Sequence, residues 1–146
     1  KKYWAFALEQ IHDAHGDNGS FSNVNPSVQS WISGYFGVSG FSITCTTSNH
    51  FIGVEIYFGK ANRDQNKEAF DYLATYRTEI ENKLGVSLTW SRGEDTKSSK
   101  VCYRLTDVSI ENEEDWPRMA KFHTEWSKKF YDVIVPYLRA KYLNTV

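Results

Sequence analysis

The sequence predicts an α+β fold: an antiparallel sheet of about four strands, two long helices on one face, and two short N-terminal helices leading in. Doubling is the first observation behind this. Between Gly37 and Ile134 each half opens on Gly-Val-Ser (Gly37-Val38-Ser39, then Gly85-Val86-Ser87), passes through two strand-like segments and closes in an amphipathic helix. The second is that either half alone leaves an apolar face uncovered, so the two must share a core. The third is size: 146 residues suit one domain over 1–146, with hairpin-helix pseudo-repeats at 37–84 and 85–138.

Each element has its own signal. Trp4, Ala7, Leu8 and Ile11 share one helical face, and the helix ends near His15-Gly16. Asn25-Pro26 reads as a cap with Pro in the first turn of a second helix, whose apolar stripe is Val28, Trp31, Ile32 and Tyr35 and whose stop is Gly37. Phe41 to Thr46 and Phe51 to Phe58 form the first hairpin. Alternation in its second strand sends Ile52, Val54, Ile56 and Phe58 to the core and leaves Glu55 and Tyr57 on the opposite face. Asn62 caps the next helix, which carries Ala69, Phe70, Leu73, Arg77, Ile80 and Leu84 inward until Gly85 closes it. The second hairpin pairs Val86-Leu88-Trp90 with Val101-Tyr103-Leu105 across a polar loop from Arg92 to Ser99. Asp115 and Pro117 start the last helix, whose buried face runs from Met119 through Phe122, His123, Trp126 and Phe130 to Tyr137, with a kink or end at Pro136.

Composition removes several functions. A net charge of −1 gives no global field to recruit nucleic acid or an acidic membrane. No apolar run reaches the length of a membrane span, and no targeting signal opens the chain, so a cytoplasmic location without a membrane partner is expected. Cys45 and Cys102 lie inside strands rather than in spaced pairs and read as free buried thiols. Aromatics make up 16% of the chain, which calls for a ring-rich core or an aromatic binding surface.

The candidate sites follow from which face each residue takes. Glu55 and Arg104, with Tyr57 beside them, share the polar sheet face, where a carboxylate and a guanidinium form a cross-strand pair or hold a ligand. Asn66 sits near the start of the helix after the Glu55 strand, where a helix N-terminus helps to hold an anion. Arg92, Lys97 and Lys100 cluster around the second hairpin with Trp90 nearby, the composition of a stacking-plus-phosphate surface for nucleic acid. His12 and His15, with Asp13 and Asp17, are the one group with metal-ligand types; a helix whose last turn favours His is the plainer reading, and no metal or cofactor is expected. No nucleophile elbow, phosphate loop or acidic-x-Lys nuclease element stands on a rigid element, so no catalytic residue is assigned.

Trp31-Ile32, Gly37-Val38-Ser39-Gly40, Val54-Glu55-Ile56-Tyr57, Asn66-Lys67 with Phe70, Glu79-Ile80-Glu81, Leu88-Thr89-Trp90 and Lys100 occur in an order that resembles an uncharacterised bacterial and archaeal domain family of unknown function. The resemblance spans roughly residues 28–138. It implies a setting rather than a mechanism: such domains often lie C-terminal to a predicted restriction-type nuclease domain, while others stand alone. This chain departs at Val101-Cys102-Tyr103, where a more basic strand is expected. The resulting expectation is a non-catalytic recognition or interaction module of DNA-related or defence proteins, with nucleic acid or a nuclease domain of a longer chain as partner. The alternatives are a small-molecule or anion-binding domain on the polar sheet face, and a structural or oligomerisation domain.

Overall fold

The computed structural model describes residues 1–16 and 19–143. Its elements are α1 (Lys2–His15), β1 (Trp31–Gly34), β2 (Phe41–Thr47), β3 (Phe51–Phe58), α2 (Arg63–Ala74), α3 (Arg77–Leu84), β4 (Thr89–Ser91), β5 (Ser99–Thr106), a 3₁₀ turn (Glu113–Asp115), α4 (Trp116–Val133) and α5 (Val135–Tyr142). The fold is α+β, and the strands form one antiparallel sheet in the order β1-β2-β3-β5-β4.

Alternation along the strands divides the sheet into a core face and an outer face. Phe41, Ile43 and Cys45 of β2, Ile52, Val54, Ile56 and Phe58 of β3, and Val101 of β5 are wholly buried against the helices. Helix α4 runs under β2, β3 and β5, α2 packs on β3 and β5, and α1 lies against α4. All the helices therefore gather on one side, as segregated apolar stripes require.

One predicted element is replaced. The segment read as a second N-terminal helix is an irregular stretch followed by β1, which adds a fifth strand. Of its supposed stripe only Ile32 is buried; Val28 is 79% exposed, and Trp31 and Tyr35 are exposed too. The period here is two, with Ile32, Gly34 and Phe36 inward and Trp31, Ser33 and Tyr35 outward. Three contacts fix the strand. The Trp4 indole donates to the Gln29 carbonyl at 2.9 Å, Tyr35 N–H donates to the Ser20 carbonyl, and the Phe21 ring fills the space where Gly34 lacks a side chain.

Two further departures are local. The helix predicted from Asn62 to Leu84 breaks at Thr75-Tyr76, because the Thr75 hydroxyl bonds back to the Tyr72 carbonyl at 2.7 Å and Tyr76 N–H takes the Leu73 carbonyl. Asn62 does cap α2, its side chain accepting from Gln65 N–H at 3.0 Å. At the last helix Asp115 is no side-chain cap. It accepts instead from Ser109 N–H, while Asn112 caps the 3₁₀ turn. Pro136 marks the junction of α4 and α5, as its missing N–H requires.

Candidate functional site

The outer sheet face carries three cross-strand rows, set by the register. Ser33, Thr44, Glu55, Cys102 and Thr89 form the middle row. Trp31, Thr46, Gly53 and Arg104 lie on one side of it, and Ser42, Tyr57, Lys100 and Ser91 on the other. On the β1–β3 half these rows enclose a cleft of about 510 Å³, lined by Trp31, Ser33, Tyr35, Thr44, Glu55 and Tyr57 among others. Its volume falls in the range of small-molecule sites.

The walls are aromatic. Trp31 is 48% exposed, Tyr35 65% and Tyr57 37%, and they account for half of the exposed large hydrophobic residues described. The floor is polar: Thr44 Oγ1 lies 2.8 Å from Ser33 Oγ and 3.0 Å from Ser42 Oγ, a short chain of hydroxyls.

Glu55 is the unusual member. Its side chain is only 13% exposed, yet its ion pair is a long one, 3.9 Å from Lys100 Nζ. Among the described residues no donor hydrogen-bonds to its carboxylate. Burial pushes the Glu55 carboxyl above the usual carboxylate range, and Lys100 and Arg104 only partly offset that.

Two other depressions, of about 480 and 470 Å³, show why volume alone does not choose the site. In the first, Glu81 already accepts from Leu88 N–H at 2.6 Å and from the Trp90 indole. In the other, Tyr137 donates to Glu79 and accepts from Lys83. The Glu81 and Glu79 carboxylates are engaged by the protein; Glu55 retains free acceptor capacity.

The profile of the family described as Domain of unknown function (DUF4268) matches residues 1–138. The chain belongs to that family. No curated protein and no solved structure matches it. The family description carries no activity, so the chemistry of this DUF4268 domain has to come from its own side chains.

The structure brings some predicted site residues together and separates others. Glu55 and Tyr57 share the cleft. Arg104 is on the same face but does not pair with Glu55: it lies opposite Gly53, its guanidinium 4.2 Å from the centre of the Phe51 ring. Asn66 is wholly buried, bonding both backbone groups of Lys60 and the Lys97 carbonyl. It is a tie between loops, with no polar atom left to hold an anion.

The three predicted bases also part company. Arg92 grips Asp71 of α2 through two hydrogen bonds and Glu94 through two more, so its charge is met on the helix side of the sheet. Lys100 points to the outer face and Glu55, while Lys97 is exposed in the β4–β5 loop.

The histidine pair is built into the structure. His12 Nε2 bonds the Phe21 carbonyl at 2.7 Å, and His15 Nε2 bonds Ser127 Oγ at 2.9 Å. Asp17, the remaining member of that cluster, lies outside the described residues, among which no group of metal-ligand side chains converges. Both cysteines are free and buried, and burial raises both thiols, Cys45 well above its ordinary range, which disfavours the reactive thiolate. Among the described residues no helix is long and apolar enough to cross a membrane.

Sequence reasoning missed Trp31, Ser33 and Tyr35, because β1 was read as helix. The signal was present: Trp31, Ser33 and Tyr35 alternate with Ile32, Gly34 and Phe36. The pairing of Lys100 with Glu55 had no sequence signal of its own, since it depends on the register of β3 against β5, which sets Cys102 opposite Glu55 and Lys100 and Arg104 on either side.

Proposed function

We propose that this domain is a non-catalytic recognition module whose binding surface is the outer sheet face, taking a small planar, polar ligand or an unpaired nucleic-acid segment. One observation carries the reading: a half-buried carboxylate that no donor among the described residues hydrogen-bonds stands in a cleft walled by exposed aromatic rings. Desolvating a charge without donors disfavours the folded state, and a ligand that supplies donors removes the penalty. Aromatic rings at a sheet surface stack flat groups at low entropic cost.

The resemblance drawn from the sequence adds a setting to this reading, that of an accessory domain in DNA-related or defence proteins. If a strand is the natural ligand, affinity falls steeply with salt and with Lys100→Glu, because Lys100 is the predicted base that faces the cleft side.

Thermal-shift measurements with nucleotides, monosaccharides and aromatic amino acids test the reading. At least one class raises the melting temperature of the native protein and fails to do so in Trp31→Ala. No stabilisation by any class, or stabilisation that survives loss of Trp31, overturns it.

A further inference from the structure

We infer that the cleft reads guanine, presented by an unpaired residue of a strand or by a free nucleotide, through the Glu55 carboxylate; this rests on the reading of the outer face as a binding surface. The inference starts from what Glu55 lacks. An ionised carboxylate only accepts, and its two coplanar oxygens suit two N–H donors side by side. No such pair reaches Glu55 from the described residues, and Lys100 Nζ at 3.9 Å is beyond hydrogen-bonding distance.

Few chemical groups present such a donor fork. A guanidinium or amidinium does, but it brings a positive charge toward Lys100 and Arg104, both near enough to act electrostatically on Glu55. A neutral fork avoids that repulsion. Among nucleobases only guanine has one: its N1–H and N2–H₂ lie side by side on the Watson–Crick edge. Adenine and cytosine set an acceptor nitrogen beside the amine, and uracil and thymine set one N–H between two carbonyls. Each of those arrangements turns lone pairs toward the carboxylate, and a lost bidentate contact weakens binding about tenfold or more.

The remainder of the cleft agrees with a base. Trp31, Tyr35 and Tyr57 offer ring faces for stacking. The hydroxyls of Ser33, Ser42 and Thr44 both donate and accept, so they suit ring nitrogens, O6 or ribose. A phosphate is repelled from Glu55 itself but has cations within reach on the neighbouring strand β5, where Lys100 and Arg104 share the outer face.

Titration of the protein with GMP, AMP, CMP and UMP, followed by calorimetry, tests this directly. GMP binds at least about tenfold more tightly than the other three, and Glu55→Gln, which keeps the shape, brings GMP down to their level. The same titration with a short single strand carrying one guanine, and with its duplex, separates the sources. Tighter binding of the single strand than of GMP assigns the site to a strand, equal binding assigns it to the nucleotide, and both outcomes support the inference. Equal affinity for all four nucleotides, no binding of any of them, or a guanine preference that survives Glu55→Gln overturns it. Retained but base-indifferent binding that Trp31→Ala abolishes would leave the recognition surface standing while removing guanine.

Discussion

Glu55 and Glu81 are both half-buried carboxylates, in different surroundings. Glu81 collects hydrogen bonds from Leu88 N–H and Trp90, whereas Glu55 has one distant lysine. Because burial raises its folded pKa above the unfolded value, its favourable contribution belongs to low pH and is lost as pH rises through the folded value. At neutral pH the ionised side chain therefore opposes folding. Glu55→Gln should raise the melting temperature at pH 7 while weakening ligand binding, and a binding variant that is also less stable than the native protein would contradict this. The histidines titrate with the opposite sign. His123 is wholly buried, its Nε2 donating to the Thr46 carbonyl at 3.0 Å and its Nδ1 accepting from the Tyr3 hydroxyl at 2.6 Å, so it is held neutral. Burial lowers His123 from 6.5 to about 4; burial and then Lys128 lower His15 equally far. The unfolded chain takes up protons that the native one refuses, so stability is full above pH 6.5 and falls as pH drops toward 4. Each group contributes at most about 1.4 kcal/mol per pH unit in that window. Urea melts across the range should show this slope, and His123→Gln should flatten it. Much of this was legible in the chain: period-two alternation put Glu55 and Tyr57 on the outer face, and helical spacing put His123 on the buried face of the last helix. The partner of Glu55 was not, because Lys100 rather than Arg104 is chosen by the register of β3 against β5.

The loop between β4 and β5 is organised by a lysine from another element. Lys67 of α2 is buried, and its ammonium donates to the carbonyls of Arg92, Gly93 and Ser98 at 2.6–2.7 Å and to Ser99 Oγ at 3.0 Å. Burial lowers its pKa, with Arg63 and Arg92 adding to the shift, but the carbonyl cage supplies what a charge needs away from water. Lys67→Met keeps the bulk and removes the donors, leaving the cage carbonyls turned inward. It should destabilise the protein by about 1–3 kcal/mol in urea melts, with hydrogen exchange rising first in residues 92–99. A loss below about 1 kcal/mol would show that the loop holds its shape without the cage. Neither Lys67 nor the loop could be assigned this way from sequence, where a lysine near a helix start reads as solvated charge. The first element to go wrong, residues 25–37, failed for a related reason. Asn25-Pro26 and the apolar residues after it satisfy a helix template locally, but the edge of β2 is left to be paired, and the period-two pattern of Trp31–Gly34 fits it. Tertiary pairing outweighed the local cap.

Taken as one body, the molecule has an asymmetric sheet. Helices α1, α2 and α4 sit on the core side, and the outer face is left to hydroxyls, exposed rings and a few charges. We read the chain as a duplicated hairpin-helix unit. In the sheet the second strands of the two hairpins, β3 and β5, lie side by side. The helix layer and the core were foreseeable because apolar spacing is a property of the chain. The cleft was less so, because it needs β1 as well as the hairpin that carries Glu55, and those elements meet only in the assembled sheet. The most direct measurement of the central claim is amide and indole chemical-shift mapping on labelled protein titrated with GMP. Shifts should concentrate on Trp31, Ser33, Thr44, Glu55 and Tyr57, with the Trp31 indole N–H among the largest and the loop from Arg92 to Thr96 nearly silent. Shifts centred instead on that loop, with the outer face unmoved, would contradict the account.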